Sequence, residues 1–206
     1  GTGNVTVSAW VKPTNLDANY TILDKRGSDE LGIFCQIHSG DRFSFGISDG
    51  TNDYHDYAGV VCTLGKWHHV CAVWNPSTTY AKFYLDGVDV GRQYESTNSS
   101  VGNSNNTSEL RIGRRSSGYT NYYFNGSIRS VSLYNVEKSP SEVLSIYQDG
   151  IDGDESLNSG LQGYWKLDNA STITDSSSNS NNGTTSGTPT LVENAVAGDS
   201  TSNNNH

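Results

Sequence analysis

The sequence predicts an all-β fold: an antiparallel β-sandwich carrying one short helix near residues 140–149. Three observations predict it. The run Trp67 to Trp74 (WHHVCAVW) is rich in aromatic and β-branched residues and apolar on both alternating faces. As a strand it is covered on both sides, the situation of a central strand between two layers. Asn75-Pro76-Ser77-Thr78 then interrupts the run, Tyr80 to Leu85 returns, and Asp86-Gly87 supplies a tight turn, together a hairpin signature. Finally, only 33% of the 206 residues are hydrophobic; abundant Gly, Ser, Asn and Thr fit short strands, many turns and polar outer faces.

The elements follow in order. Val5 to Pro13 alternates and is stopped by its proline. Tyr20 to Lys25 is a second strand, followed by a polar loop at Arg26 to Glu30. Leu31 to His38 is a third. Ser39-Gly40-Asp41 turns the chain into Arg42 to Ser48, which sets Phe43, Phe45 and Ile47 against polar neighbours. Asp49 to Tyr57 is crowded with polar groups and is expected to be a loop; Ala58 to Leu64 leads into the central hairpin. There Val70, Ala72 and Trp74 point one way, and Trp67, His69, Cys71 and Val73 the other. Glu95 to Ser108 is a long Ser/Asn loop without periodicity, of a length usually kept for function or motion. Ser139-Pro140-Ser141-Glu142 is a helix start with a capping box. Val143, Leu144, Ile146 and Tyr147 give it an apolar face, expected to pack on a sandwich edge, and it stops near Gly150.

Charge and composition bound the function. A formal charge of −9 without a basic patch argues against nucleic acid as a partner. No run is long enough to cross a membrane as a helix, so no membrane insertion is expected. The chain has no Met and no signal peptide and opens just ahead of a strand, so it reads as a processed or excised product. Cys35, Cys62 and Cys71 all fall in strand-like runs. One Cys62–Cys71 or Cys35–Cys71 bridge, or three buried thiols, are the alternatives.

Four motifs in order carry a resemblance: Val5-Thr6-Val7-Ser8-Ala9-Trp10-Val11-Lys12-Pro13; the central Trp67-His68-His69-Val70 run with Phe83-Tyr84-Leu85-Asp86-Gly87-Val88; Glu109 to Arg114; and Phe124 to Asn135. Over residues 4 to 150 the chain resembles the laminin-G-like jelly-roll family, of the concanavalin A-like lectin and glucanase group. The resemblance implies a jelly roll for residues 1–150. Residues 151–192, with Gly163-Tyr164-Trp165-Lys166-Leu167-Asp168 and Asp175 to Asn182, resemble the segment that begins such a domain. They are expected to close this sandwich by permutation, to start a second repeat, or to enter a neighbouring copy and make a homo-oligomer through residues 159–192. Residues 193–206 are expected to be an extended or disordered arm. Repeated modules joined by such a run are similar, at the level of pattern alone, to structural proteins of marine phages.

Candidate chemistry follows from residue types. Glucanases of this broad fold carry Glu-x-Asp-x-x-Glu on one strand face. The chain has no such run, and Asp152-Gly153-Asp154-Glu155 falls in a loop after the helix, so no catalysis is expected. His68 and His69 are adjacent on a strand and cannot chelate one metal together; structural roles are expected for both. His38 and His55 have no obvious partner. Asp49, Asn52, Asp53 and Asp56 crowd one short stretch and are the candidate ligands for Ca2+, which the family often holds at a sandwich rim. Tyr54 and Tyr57 beside that stretch, and Tyr119, Tyr122 and Tyr123 with Arg114, are the candidates for stacking on and hydrogen-bonding to sugars. The function expected is a non-catalytic structural or adhesive subunit, extracellular or on a virion surface, that contacts glycans or neighbouring copies. The alternative is a secreted, calcium-dependent carbohydrate-binding module.

Overall fold

The computed structural model describes residues 3–27, 29–38, 40–78, 80–93, 101–115 and 122–191. Strand-forming runs separated by turn chemistry give β1 (Val5–Pro13), β2 (Tyr20–Asp24), β3 (Gly32–His38), β4 (Arg42–Ser48), β5 (Asp53–Val61), β6 (His68–Trp74), β7 (Ala81–Leu85), β8 (Val88–Asp89), β9 (Arg92–Gln93), β10 (Arg111–Ile112) and β11 (Gly126–Tyr134). The helix α1 (Pro140–Asp149) and β12 (Leu161–Trp165) complete the order. Two antiparallel sheets result. Sheet 1 runs β12-β11-β1-β6-β7-β8 and sheet 2 runs β10-β2-β3-β4-β5-β9. The molecule is an all-β sandwich, as the sequence predicts.

The period-2 pattern builds the core. Val7, Ala9 and Val11 of β1 and Val70, Ala72 and Trp74 of β6 face Ile33, Cys35 and Ile37 of β3 and Phe43, Phe45 and Ile47 of β4, all buried in one cluster. Burying a side chain of this size contributes about 1.5–3 kcal/mol. The opposite face of β6 is covered too: Cys71 and Val73 pack with Tyr84 and Val143. The Asp86-Gly87 turn has φ of 51° and 77°, the left-handed pair that a two-residue hairpin needs.

Two expectations are corrected, and one open alternative, that of three buried thiols, is borne out. The stretch Asp49 to Tyr57 is a loop only as far as Asn52; from Asp53 it is β5. The helix has the expected capping box at Ser139 and Glu142, but Val143 packs on the outer face of sheet 1, not on an edge. Tyr147 stacks on Trp10 there at 5.6 Å. The three cysteines are free and buried, so neither bridge forms.

The tail adds β12 to the edge of sheet 1, pairing Trp165 with Val131 and Tyr164 with Ser132. Its outer edge is then closed by side chains. Asp175 accepts hydrogen bonds from the amides of Tyr164 (2.9 Å), Ser177 (2.9 Å) and Asn181 (2.8 Å), while Asn179 and Asn181 donate to the Gln162 carbonyl. An edge strand capped in this way is a poor template for further pairing. Glu155 is no loop-surface carboxylate: it is buried and accepts from Ser132 Oγ (2.7 Å) and Tyr134 OH, pinning the 151–158 segment to β11. The 94–100 part of the long loop, Tyr119 and the arm at 193–206 lie outside the described residues.

Candidate functional site

The outer face of sheet 2 follows from the register of its strands. Residues Asp24, Phe34, Gly46 and His55 pair in succession across β2, β3, β4 and β5. The next row is Thr21, Gln36, Ser44 and Tyr57, and His38 and Arg42 follow. Alternation turns all of them away from the core.

Gly46 makes the first row possible. A β-carbon there would lie 2.1 Å from Phe34 Cε1, so only glycine lets the Phe34 ring lie flat on the sheet. His55 meets that ring edge to face, and tilted ring contacts continue the row through Tyr57 to His38. His55 is 4.9 Å from Phe34 and 4.8 Å from Tyr57, and His38 is 4.7 Å from Tyr57, centroid to centroid. The Arg26 guanidinium lies 3.8 Å over Phe34, a cation–π contact. It is held there by Asp24 (2.6 Å) and Glu30 (2.9 Å), and Glu30 also receives Arg115 (2.7 Å).

Two buried polar atoms on this face, His55 Nε2 and Thr21 Oγ1, have no hydrogen-bond partner among the described residues. Orphaned buried groups of this kind are rare and need a reason. Burial, reinforced by His38 and Arg26, pulls the His55 pKa down to about 4. The imidazole is therefore neutral near pH 7, with one nitrogen a donor and the other an acceptor.

The sequence candidates are dispersed. Tyr57 lies in the second row but is only 7% exposed, so it buttresses the imidazoles more than it offers a face. Tyr122 lies at the rim, 5.1 Å from the Arg115 guanidinium. Tyr54 is a correction: it points into the core at 1% exposure, 4.4 Å from Trp74, with its hydroxyl donating to Asp56. It has no face for a sugar. Arg114 and Tyr123 pair with each other away from this face, in an open groove between β10 and the tail that Ile112, Phe124 and Ile173 also line.

The four candidate calcium ligands do not converge. Asp49 spends both carboxylate oxygens on loop donors, the amides of Thr51, Asn52 and Gly102 among them, which hold it well below the usual carboxylate range. Asn52 donates to Asp49. Asp53 is exposed on the outer face of β5, whereas Asp56 faces inward, fully buried and paired with Arg92 at 2.7 Å. Alternation along β5 therefore keeps Asp53 and Asp56 from sharing an ion. Among the described residues no three His, Cys, Asp or Glu groups are gathered as a metal would need.

The paired histidines behave as the alternation requires. His69 is fully buried against Ser8 Oγ (2.8 Å), and burial lowers its pKa to about 4. On the other side His68 bridges Asp86 (2.9 Å) and Thr63 (2.7 Å), fastening the approach to β6 onto the hairpin turn. The sequence reading missed Phe34, His38, His55 and Arg26 as one group. Alternation of Asp53, His55 and Tyr57 against Tyr54, Asp56 and Ala58 was the signal for β5; the cross-strand row has no signal within one strand.

Among the described residues no helix is long and apolar enough to cross a membrane. No curated protein matches the chain. Several solved structures share the fold. A putative carbohydrate binding protein from Bacteroides ovatus is similar at 20% identity and a TM-score of 0.66, over 90% of this chain and 52% of that one. The chain thus spans about half of that protein. The CBM40 of Ruminococcus gnavus IT-sialidase, bound to α2,3 sialyllactose, is similar at 16% identity and a TM-score of 0.56, over 70% of this chain and 83% of that one. A heptameric SAP-like pentraxin from Limulus polyphemus is similar at 16% identity and a TM-score of 0.53, over 73% and 71%. The family model described as concanavalin A-like lectin/glucanases superfamily, of laminin-G type, matches residues 1–144. With the two sheets, the hairpin and the motif order all in place, the chain belongs to that superfamily.

Proposed function

We propose that this chain is a non-catalytic glycan-binding module, displayed outside the cell or on a particle surface, that holds sugar on the outer face of sheet 2. One observation carries the reading. The His55 and His38 imidazoles, braced by the Phe34 ring that Arg26 covers, sit on the same face as buried polar atoms that lack partners among the described residues. Sugars present the complementary surface: C–H faces that pack on rings, and hydroxyls that both donate and accept. The neutral imidazole of His55 matches a hydroxyl in both senses. Solved structures of the same fold described as carbohydrate-binding support the reading.

The test is a glycan array followed by calorimetric titration of the strongest ligand. His55→Ala is expected to weaken binding at least tenfold while circular dichroism and the melting profile stay those of a folded sandwich. A glycan that binds His55→Ala and Phe34→Leu as tightly as the parent would place the site elsewhere, and the open groove beside Arg114 and Tyr123 would be examined next.

A further inference from the structure

We propose that the outer face of sheet 2 takes uncharged glycans and rejects acidic ones; this rests on the glycan reading above. The charges on and around the face carry the inference. Four guanidinium groups approach it, and each makes at least one contact with a protein acceptor; Arg111, opposite Asp24 in the register of β10, donates to Glu109 at 3.1 Å. Arg26 gives Nε and Nη2 to Asp24 and Nη1 to Glu30. Arg115 donates to the same Glu30. Arg42 donates to the carbonyl oxygens of Ala58 and Gly59, at 3.3 and 3.1 Å. A carboxylate or sulfate is recognised by bidentate or clustered cationic donors; here all three nitrogens of Arg26 face protein carboxylates, and Arg42, Arg111 and Arg115 each give one nitrogen to a protein oxygen.

The balance of charge points the same way. Against Arg26, Arg42, Arg111 and Arg115 stand Asp24, Glu30, Asp53 and Glu109, with Asp49 in the adjoining loop. His38, His55 and Tyr57 complete the titratable groups of the rows. Arg92, at the far edge of the sheet, turns to Asp56 on the core side of β5. An anionic ligand would approach Glu30 and Asp53 on a chain that carries −9 overall. Bringing like charges together and stripping their water are both unfavourable. An uncharged sugar meets none of this: it needs only an apolar face and single donors and acceptors, which the imidazoles of His38 and His55 supply.

Matched pairs of probes test the inference by changing charge alone. They are free and fully methyl-esterified oligogalacturonides, α2,3 sialyllactose and lactose, and sulfated and unsulfated galactan oligosaccharides. Binding is titrated by NMR at low salt, where an electrostatic penalty is largest. Wherever a pair binds, the neutral member is expected to bind at least tenfold tighter, and His55→Ala is expected to remove it. Glu30→Gln, which releases Arg115 and one nitrogen of Arg26, is expected to shift the preference toward the acidic member by about tenfold. If the acidic member binds as well or better and His55→Ala still abolishes it, the charge inference fails and the site stands. If no pair binds, or if binding ignores His55→Ala, the glycan reading of this face fails, and the inference with it.

Discussion

His69 on the outer face of sheet 1 and His55 on the outer face of sheet 2 are both imidazoles whose pKa burial pulls down to about 4, yet they keep different company. His69 lies beside Trp10 and Tyr147 with Nε2 bonded to Ser8. The helix closes that face from above, and the 151–158 segment closes it from the side through Ser130 Oγ, Tyr134 and Tyr164. His55 stands among Phe34, Tyr57 and His38, with Nε2 unpartnered and no helix over it among the described residues. The same residue type serves as packing where a helix seals the sheet. It becomes a candidate ligand group where no helix covers the face among the described residues, for each imidazole keeps one buried nitrogen without a partner, Nδ1 in His69 and Nε2 in His55.

The strongest way to break this contrast is to unseat the helix. Val143 is fully buried against Cys71, Val73 and Tyr84. Val143→Asp would place a carboxylate there with no partner, and unfolding in urea is expected to show a loss of about 4 kcal/mol. Glycan affinity per folded molecule should not change, because α1 does not touch sheet 2's outer face. A parallel fall in affinity would mean that the two faces are not independent.

Acid should sharpen the likeness between the two histidines. Each has a folded pKa of about 4 against an ordinary 6.5. A lowered imidazole pKa stabilises the fold fully above about pH 6.5. That contribution is lost as pH falls toward 4, because the unfolded chain takes up the proton first. The upper bound is about 3 kcal/mol per histidine. Urea midpoints measured between pH 7 and pH 4 should fall, and His55→Gln should remove about half of that slope. An unchanged slope would mean that His55 is solvated and not held neutral by burial.

What was legible in the sequence was whatever a local rule decides. The strands β1, β3 and β4 and the β6–β7 hairpin could be read because alternation and turn residues sit side by side in the chain. The helix could be read from Ser139, Pro140 and Glu142. The start of β5 was hidden because Asp53, Asp56 and their neighbours look like loop residues. Asp56 is tolerated inside the sandwich because Arg92, in another strand, and the Tyr54 hydroxyl both donate to it. The site was hidden for a related reason. Phe34, Gly46 and His55 belong to three strands, and only the register brings them into one row. A tyrosine's residue type did not say on which face it would fall, and Tyr54 and Tyr57 fell on opposite faces.

Two glycines give the finest form of the comparison, since each leaves room for an aromatic ring. At Gly163 in sheet 1, a β-carbon would lie 2.2 Å from the indole of Trp165, and at Gly46 in sheet 2 it would lie 2.1 Å from Phe34. The indole is nearly buried in the core and donates from Nε1 to the Asn181 carbonyl, so it has nowhere to go. Gly163→Ala is expected to cost about 3 kcal/mol of stability, the upper end for overpacking, and to leave affinity alone. The Phe34 ring is half-buried on an outer face and can lift. Gly46→Ala is therefore expected to cost less, about 1–2 kcal/mol, by parting the ring from Arg26 and His55. Its larger effect falls on binding, because the platform itself tilts: at least a tenfold loss in a chain that remains folded at 25 °C. Equal losses of stability from the two substitutions, with affinity intact in both, would show that the Phe34 row is packing of the same kind as the Trp165 core.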